Sequence, residues 1–288
     1  MRIAALALTT LLLAACSHTD RIVVGSKNFT EQVILGEMLA QLVERNTKLP
    51  VERKLNLGGT LICHQAIVAG QIDAYVEYTG TALEAILKRP KETDAHHVYE
   101  LVKKDYADRF KIEWTEPLGF NNTFVIVIRG DDADKLHLKT ISDAAPVAKN
   151  WTAGFGYEFV ERQDGFPGLS KLYDFHFPSP PKVMDLGLTY KALANGNVDV
   201  IAGNSTDGLI DSLHLFPLED DKHYFPPYDA APLLRNEVAA NHPEVRKALA
   251  SLAGKISEQE MRKLNFAVDG DHREVATVVR EFLDSKHL

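Results

Sequence analysis

The sequence predicts an α/β protein of two lobes with a cleft between them. Three observations carry this. β-prone runs alternate with helical periodicities from Arg21 to Leu87. A second alternation begins after Gly119 and sits inside the chain, and an extended return segment with a helical C-terminal stretch follows it. Such alternation implies mostly parallel sheets covered by helices, with ligands held outside the carboxyl ends of strands.

The elements follow in order. Arg21 to Gly25 (RIVVG) is a short β-prone run. Val33, Ile34, Met38, Leu39, Leu42 and Val43 share one helical face. Thr30 is expected to cap that helix, and Glu31 suits the positive end of its dipole. Pro50 to Leu57 reads as a second strand ended by Gly58-Gly59, with a helix over 60–70. Asp73 to Tyr78 is a third strand, and Thr81 to Leu87 opens another helix. In the embedded unit, Phe124 to Arg129 is a strand and Ser142 is expected to cap a short helix. Trp151 to Phe155 is a strand, Leu188 to Ala194 a helix and Val198 to Gly203 a strand. Asp229 to Val238 reads as the extended return segment. Helices are expected from about His242, Ser257 and His272, the first with Pro243 in its first turn.

Composition narrows the function. The 288 residues are 45% hydrophobic and 25% charged, which excludes a disordered chain, a coiled coil and a collagen-like repeat. A net charge of −8 leaves no overall electrostatic footprint for nucleic acid. Two cysteines make neither a disulfide scaffold nor a Cys-rich zinc site. Cys63, among Leu61, Ile62, Ala66 and Ile67, reads as core packing.

Met1 to Cys16 (MRIAALALTTLLLAAC) has the layout of a secretory signal over residues 1–15. Its apolar run is too short to span a bilayer. Leu13-Ala14-Ala15-Cys16 resembles a bacterial lipobox, which implies a lipid anchor on Cys16 and a location on the periplasmic side of a bacterial membrane.

Enzyme motifs are lacking. There is no G-x-S-x-G, no G-x-x-x-x-G-K-[ST] and no H-E-x-x-H. His96 and His97 are adjacent and do not share a helix face, and Asp269 to His272 reads as a turn, so no metal or cofactor is expected. On the third strand, alternation sets Tyr75 and Glu77 on one face and Tyr78 on the other. Tyr78 stands at the strand's carboxyl end, before Thr79-Gly80-Thr81, a turn that offers N–H groups and hydroxyls to an anion.

Five motifs in order carry a family resemblance. They are Ser26-Lys27-Asn28-Phe29-Thr30-Glu31-Gln32, Glu77-Tyr78-Thr79-Gly80-Thr81, Gly119-Phe120-Asn121-Asn122-Thr123, Ser205-Thr206-Asp207-Gly208 and Pro226-Pro227-Tyr228-Asp229. Together they resemble osmoprotectant-type substrate-binding proteins of ABC importers, which take glycine betaine, choline, carnitine and related amines. The resemblance implies a type II periplasmic-binding-protein fold. It implies a discontinuous lobe of 22–122 plus 228–288 and an inserted lobe of 123–227. It also implies a monomer that works with a membrane permease and an ATPase.

The family's residues transfer one at a time. The first box tyrosine falls on Tyr78. The second falls on Phe124, which keeps the ring and loses the hydroxyl. The third falls on Asn204, where the ring is gone, and the fourth on Tyr228. Lys27, Thr81 and Arg162 fall on the carboxylate-binding positions. Ring faces suit a quaternary ammonium, which has no N–H to donate. Arg suits a carboxylate, which it grips bidentately. Asn204 leaves two readings open: a zwitterion with an extra polar group, such as an imidazole-bearing betaine, or an ordinary betaine with Tyr157 filling the gap. A periplasmic enzyme or a sensor using the same cleft is the competing class.

Overall fold

A computed structural model describes residues 21–288. The lipobox and Cys16 lie outside them.

The first lobe begins with β1 (Ile22–Lys27), α1 (Thr30–Asn46), β2 (Val51–Gly58), α2 (Thr60–Val68) and β3 (Ala74–Tyr78). A π-helical turn at Thr81–Ile86, α3 (Ala95–Phe110) and β4 (Ile112–Trp114) follow. The chain then crosses to the second lobe through β5 (Phe124–Arg129), α4 (Gly130–Leu136), α5 (Ile141–Ala148), β6 (Ala153–Phe155) and α6 (Tyr157–Glu161). That lobe continues with α7 (Phe166–Tyr173), β7 (Lys182–Val183), α8 (Leu186–Ala194), β8 (Val200–Asn204), α9 (Leu209–Ser212) and β9 (Leu215–Leu218). The chain returns through β10 (Ala230–Arg235) to α10 (Asn236–Asn241), α11 (Pro243–Ala250), α12 (Glu258–Asp269) and α13 (Val275–Ser285).

Each lobe holds a five-stranded sheet, in the orders β2-β1-β3-β10-β4 and β7-β6-β8-β5-β9. The sheets are mixed rather than mostly parallel. β1 runs parallel to β2 and β3, while β10 is antiparallel to β3 and β4. β6 runs parallel to β7 and β8, while β5 is antiparallel to β8 and β9. The antiparallel strands are the ones that carry the chain between lobes. β5 leaves the crossing and β10 returns from it, so each enters its sheet from the cleft end.

Alternation along β3 divides the first lobe's core. Val76 and Tyr78 pack with Ile34, Met38 and Leu39 of α1, while Tyr75 packs on the other side with Tyr106 and Trp114. The second lobe buries Ile126, Ile128, Phe155 and Phe159 on one side, and Val127, Leu193 and Ile201 on the other.

Several local expectations need correction. Thr30 does not cap α1: Phe29 is the N-cap, and the Thr30 hydroxyl donates to Asp269 Oδ1 at 2.6 Å. Thr30 is already the first helical residue, one position past the place from which a hydroxyl caps. Ser142 is not a cap either. Thr140 is, and it forms a reciprocal capping box with Asp143. The helix expected from Thr81 is a π-helical turn. The extended return segment ends at Arg235 and turns into α10. The sixteen-residue α3 lies in a stretch given no element by the sequence reading.

Candidate ligand-binding cleft

Strand register brings the cleft residues to the facing ends of the two sheets. Tyr78, last in β3, pairs with Ala230, first in β10, so Tyr228 arrives beside it. Asn204, last in β8, pairs with Phe124, first in β5. Lys27 ends β1 against Gly58. Gly80 allows the closest approach: a Cβ there would stand 2.7 Å from the Pro227 carbonyl and 2.9 Å from the Tyr228 ring.

These ends enclose about 820 Å³ of space, open solvent at the mouth included. Lys27, Tyr78, Thr81, Phe124, Arg162, Asn204 and Tyr228 all line it, and so does Tyr157. Phe29 and Phe159 add further rings, making six with Tyr78, Phe124, Tyr157 and Tyr228. Phe29 lies in the opening motif, so its position was available to sequence reasoning, although its role was not. Tyr157 is 59% exposed, at the mouth.

The rings are locked among themselves and by buried polar groups. Phe124 meets Tyr228 edge-on, with centroids 5.8 Å apart, and Phe159 at 5.1 Å. Phe29 stacks beside Tyr78 at 6.4 Å. The Tyr78 hydroxyl donates to Glu31 Oε1 at 2.6 Å. Glu31 is fully buried and also accepts from Asn122 Nδ2 (2.7 Å), Thr206 Oγ1 (2.5 Å) and Asn265 Nδ2 (3.1 Å). Burial raises the Glu31 pKa above the usual carboxylate value, and these four neutral donors only partly offset it. The Tyr228 hydroxyl donates to Asp164 Oδ2 at 3.0 Å.

The two cations are already paired. Lys27 Nζ, 2% exposed, lies 2.5 Å from Glu77 Oε1 and donates to Thr60 Oγ1 at 3.0 Å. Arg162 grips Asp164 with two bonds, from Nε to Oδ1 at 2.9 Å and from Nη2 to Oδ2, and its Nη2 reaches Thr81 Oγ1 at 3.2 Å. Burial alone would lower the Arg162 pKa, but Asp164 holds it raised. Burying a charge without such a partner is costly, which accounts for both pairs. The same cations also lie over two of the rings. Lys27 Nζ is 5.2 Å from the Tyr78 centroid and Arg162 Cζ is 5.3 Å from that of Phe124.

Asn204 differs from these. Its backbone N–H donates to Asp207 Oδ2 at 2.9 Å, but its side-chain amide has no hydrogen-bond partner among the described residues. Asp207 also accepts from the Tyr190 hydroxyl. Burial pushes its pKa up to about 7. Among the described residues no cluster of His, Cys, Asp and Glu could hold a metal ion. None of their helices is long and apolar enough to cross a membrane.

Residues 20–285 match the family described as the substrate-binding domain of ABC-type glycine betaine transport systems. A carnitine transport binding protein of Listeria monocytogenes is 39% identical over 290 residues, covering 97% of this chain and 93% of that protein. An ergothioneine transport permease/ergothioneine binding protein of Helicobacter pylori is 38% identical over 264 residues, covering 91% of this chain and 47% of that protein. The chain therefore spans about half the length of that relative. A crystal structure titled as a glycine betaine/carnitine/choline ABC transporter superposes with a TM-score of 0.76 at 34% identity. It covers 92% of this chain and 98% of that one. With two mixed α/β lobes, five ordered motifs and a match spanning nearly the whole sequence, the chain belongs to the family of substrate-binding domains of ABC-type glycine betaine transport systems.

Proposed function

We propose that this protein captures a small betaine-type zwitterion in the cleft and delivers it to the permease and ATPase of an importer. The carrier is a monomer, tethered through a lipidated Cys16 on the periplasmic side of a bacterial membrane. Its lobes are 22–122 plus 228–288 and 123–227, and they close on the ligand. Tyr78, Phe124 and Tyr228 offer ring faces to the quaternary ammonium, and Lys27, Thr81 and Arg162 face the carboxylate. Asn204 takes an additional polar group. No cofactor takes part and no bond is made or broken.

The observation that supports this reading most is the convergence of six rings, two cations and one unpartnered amide in a single cleft. Similarity to proteins named for carnitine and for ergothioneine points the same way, since both ligands join a trimethylammonium to a carboxylate. Ergothioneine, an imidazole-bearing betaine, also carries the extra polar group that Asn204 would engage.

Calorimetric titration with glycine betaine, choline, carnitine and ergothioneine tests the reading. One-to-one binding of at least one of them, with the ligand recovered unchanged, is expected. Absence of binding by all four, or turnover of any, overturns it. Glycine betaine bound most tightly, with an affinity unmoved by Asn204→Ala, removes the role given to Asn204.

A further inference from the structure

We propose that the Glu158 carboxylate is a built-in occupant of the seat the cleft offers to a ligand's carboxylate. From there it ties the empty lobes together and biases the cleft against carboxylate-bearing ligands relative to simple quaternary amines. The part concerning ligands rests on the reading under Proposed function.

The geometry is specific. Glu158 stands on α6 of the second lobe and reaches the start of α2 in the first. It accepts from the Thr60 backbone N–H through Oε1 and from the Thr60 hydroxyl through Oε2 at 3.1 Å. That hydroxyl in turn accepts from Lys27 Nζ at 3.0 Å. Arg162 Nη1 approaches Oε2 at 3.4 Å. A helix N-terminus, a lysine and an arginine thus converge on one carboxylate, the constellation expected for an anionic ligand group. The absence of a side chain at Gly59 shapes the seat, because a Cβ there would lie 2.5 Å from Glu158 Oε1.

Two further observations fit an exchangeable occupant. Glu158 lines the cleft, and its side chain is 36% exposed, so both ligand and solvent can reach it. Burial raises its pKa, but Lys27, Arg162 and the Thr60 bonds outweigh this and hold the carboxyl below its usual range. It is therefore ionised at neutral pH.

Charge then decides selectivity. Lys27 already holds Glu77 and Arg162 already holds Asp164, so Glu158 is a third carboxylate for two cations. A ligand carboxylate entering the same space would be the fourth, and like charges side by side repel strongly. A betaine must therefore displace Glu158 from Thr60. A cation such as choline leaves it in place and gains from its charge.

The experiment titrates glycine betaine and choline into the wild type and into Glu158→Gln. Interlobe distance is measured in the ligand-free proteins with paired spin labels, Gly59→Ala included. Glu158→Gln is expected to shift the ratio of affinities toward glycine betaine by roughly tenfold. Gly59→Ala keeps the charge but crowds Oε1, and both variants should widen the ligand-free lobes. An unchanged affinity ratio in folded Glu158→Gln overturns the selectivity role. Unchanged lobe separation in both variants overturns the tie between lobes. If the wild type binds neither ligand and no other quaternary amine, the proposed ligand class is wrong and the selectivity role falls with it. The distance measurement still decides the tie.

Discussion

Lys27 and Arg162, the cations that line the cleft, each hold a carboxylate of the protein. Tyr78, Phe124 and Tyr228, beside them, are held through ring edges and hydroxyls, with Lys27 over the Tyr78 ring and Arg162 over that of Phe124. The difference follows from what each kind of group costs to leave empty. A buried charge without a counter-ion is strongly destabilising, so both cations are neutralised by the protein's own carboxylates. A neutral ring carries no such penalty, so the rings need no counter-ion of their own. Asn204 lies between these cases, because its free amide still keeps some contact with the cleft.

The largest effect that separates cations from rings is expected at Arg162. Arg162→Ala strands Asp164, which is 2% exposed, and should lower unfolding stability by roughly 3 kcal/mol as well as binding. Urea denaturation reads the first effect and calorimetry the second. A stable variant that merely binds weakly would mean the pair is not structural. For the rings, binding distinguishes the face from the hydroxyl. Tyr228→Ala should weaken ligand binding by about tenfold or more in the folded protein and, because the ring is buried in the core, lower its stability too, whereas Tyr228→Phe, which keeps the ring, should hold affinity within about threefold. An equal loss in both would shift the role from ring face to hydroxyl.

A smaller effect concerns the support beneath Asn204. Asp207 has a folded pKa of about 7, above its ordinary 3.8, because burial disfavours the ionised form. Its contribution to stability is therefore greatest at low pH, below the unfolded value. It declines as pH rises between the two values and levels off above about 7. Urea midpoints from pH 5 to 8.5 should fall in the wild type, and more gently in Asp207→Asn. The smallest effect is expected from Asn204→Ala. It should cost about fivefold for a betaine with an extra polar group and nothing for glycine betaine.

Much of this was legible in the chain itself. The β-prone runs Arg21 to Gly25, Asp73 to Tyr78 and Val198 to Gly203 announce the three strands, which end at Lys27, Tyr78 and Asn204. Other features were not legible. The π-helical turn after Tyr78 has no distinct periodicity over so short a span. The Thr30 hydroxyl finds its partner in Asp269, which is 239 residues away. The partners of the cations were half visible. Asp164 lies two residues beyond Arg162, but Glu77 reaches Lys27 only because β1 and β3 are neighbours. Glu158 was passed over because its partner, Thr60, stands 98 residues away in the other lobe.

The chemical types for the cleft came through the family resemblance of five motifs, while the residues alone determined the α/β alternation and the faces of its elements. These depend on local propensity and on the 3.6 and 2.0 periods of side-chain direction, which are written along the chain. The tertiary structure decided which charges meet. Ion pairing acts across space between strands and lobes that are distant in sequence, and burial sets its strength only once the chain has folded. That is why the cations were readable as residue types, while Glu77 and Glu158, 50 and 98 residues from their partners, were not readable as occupants.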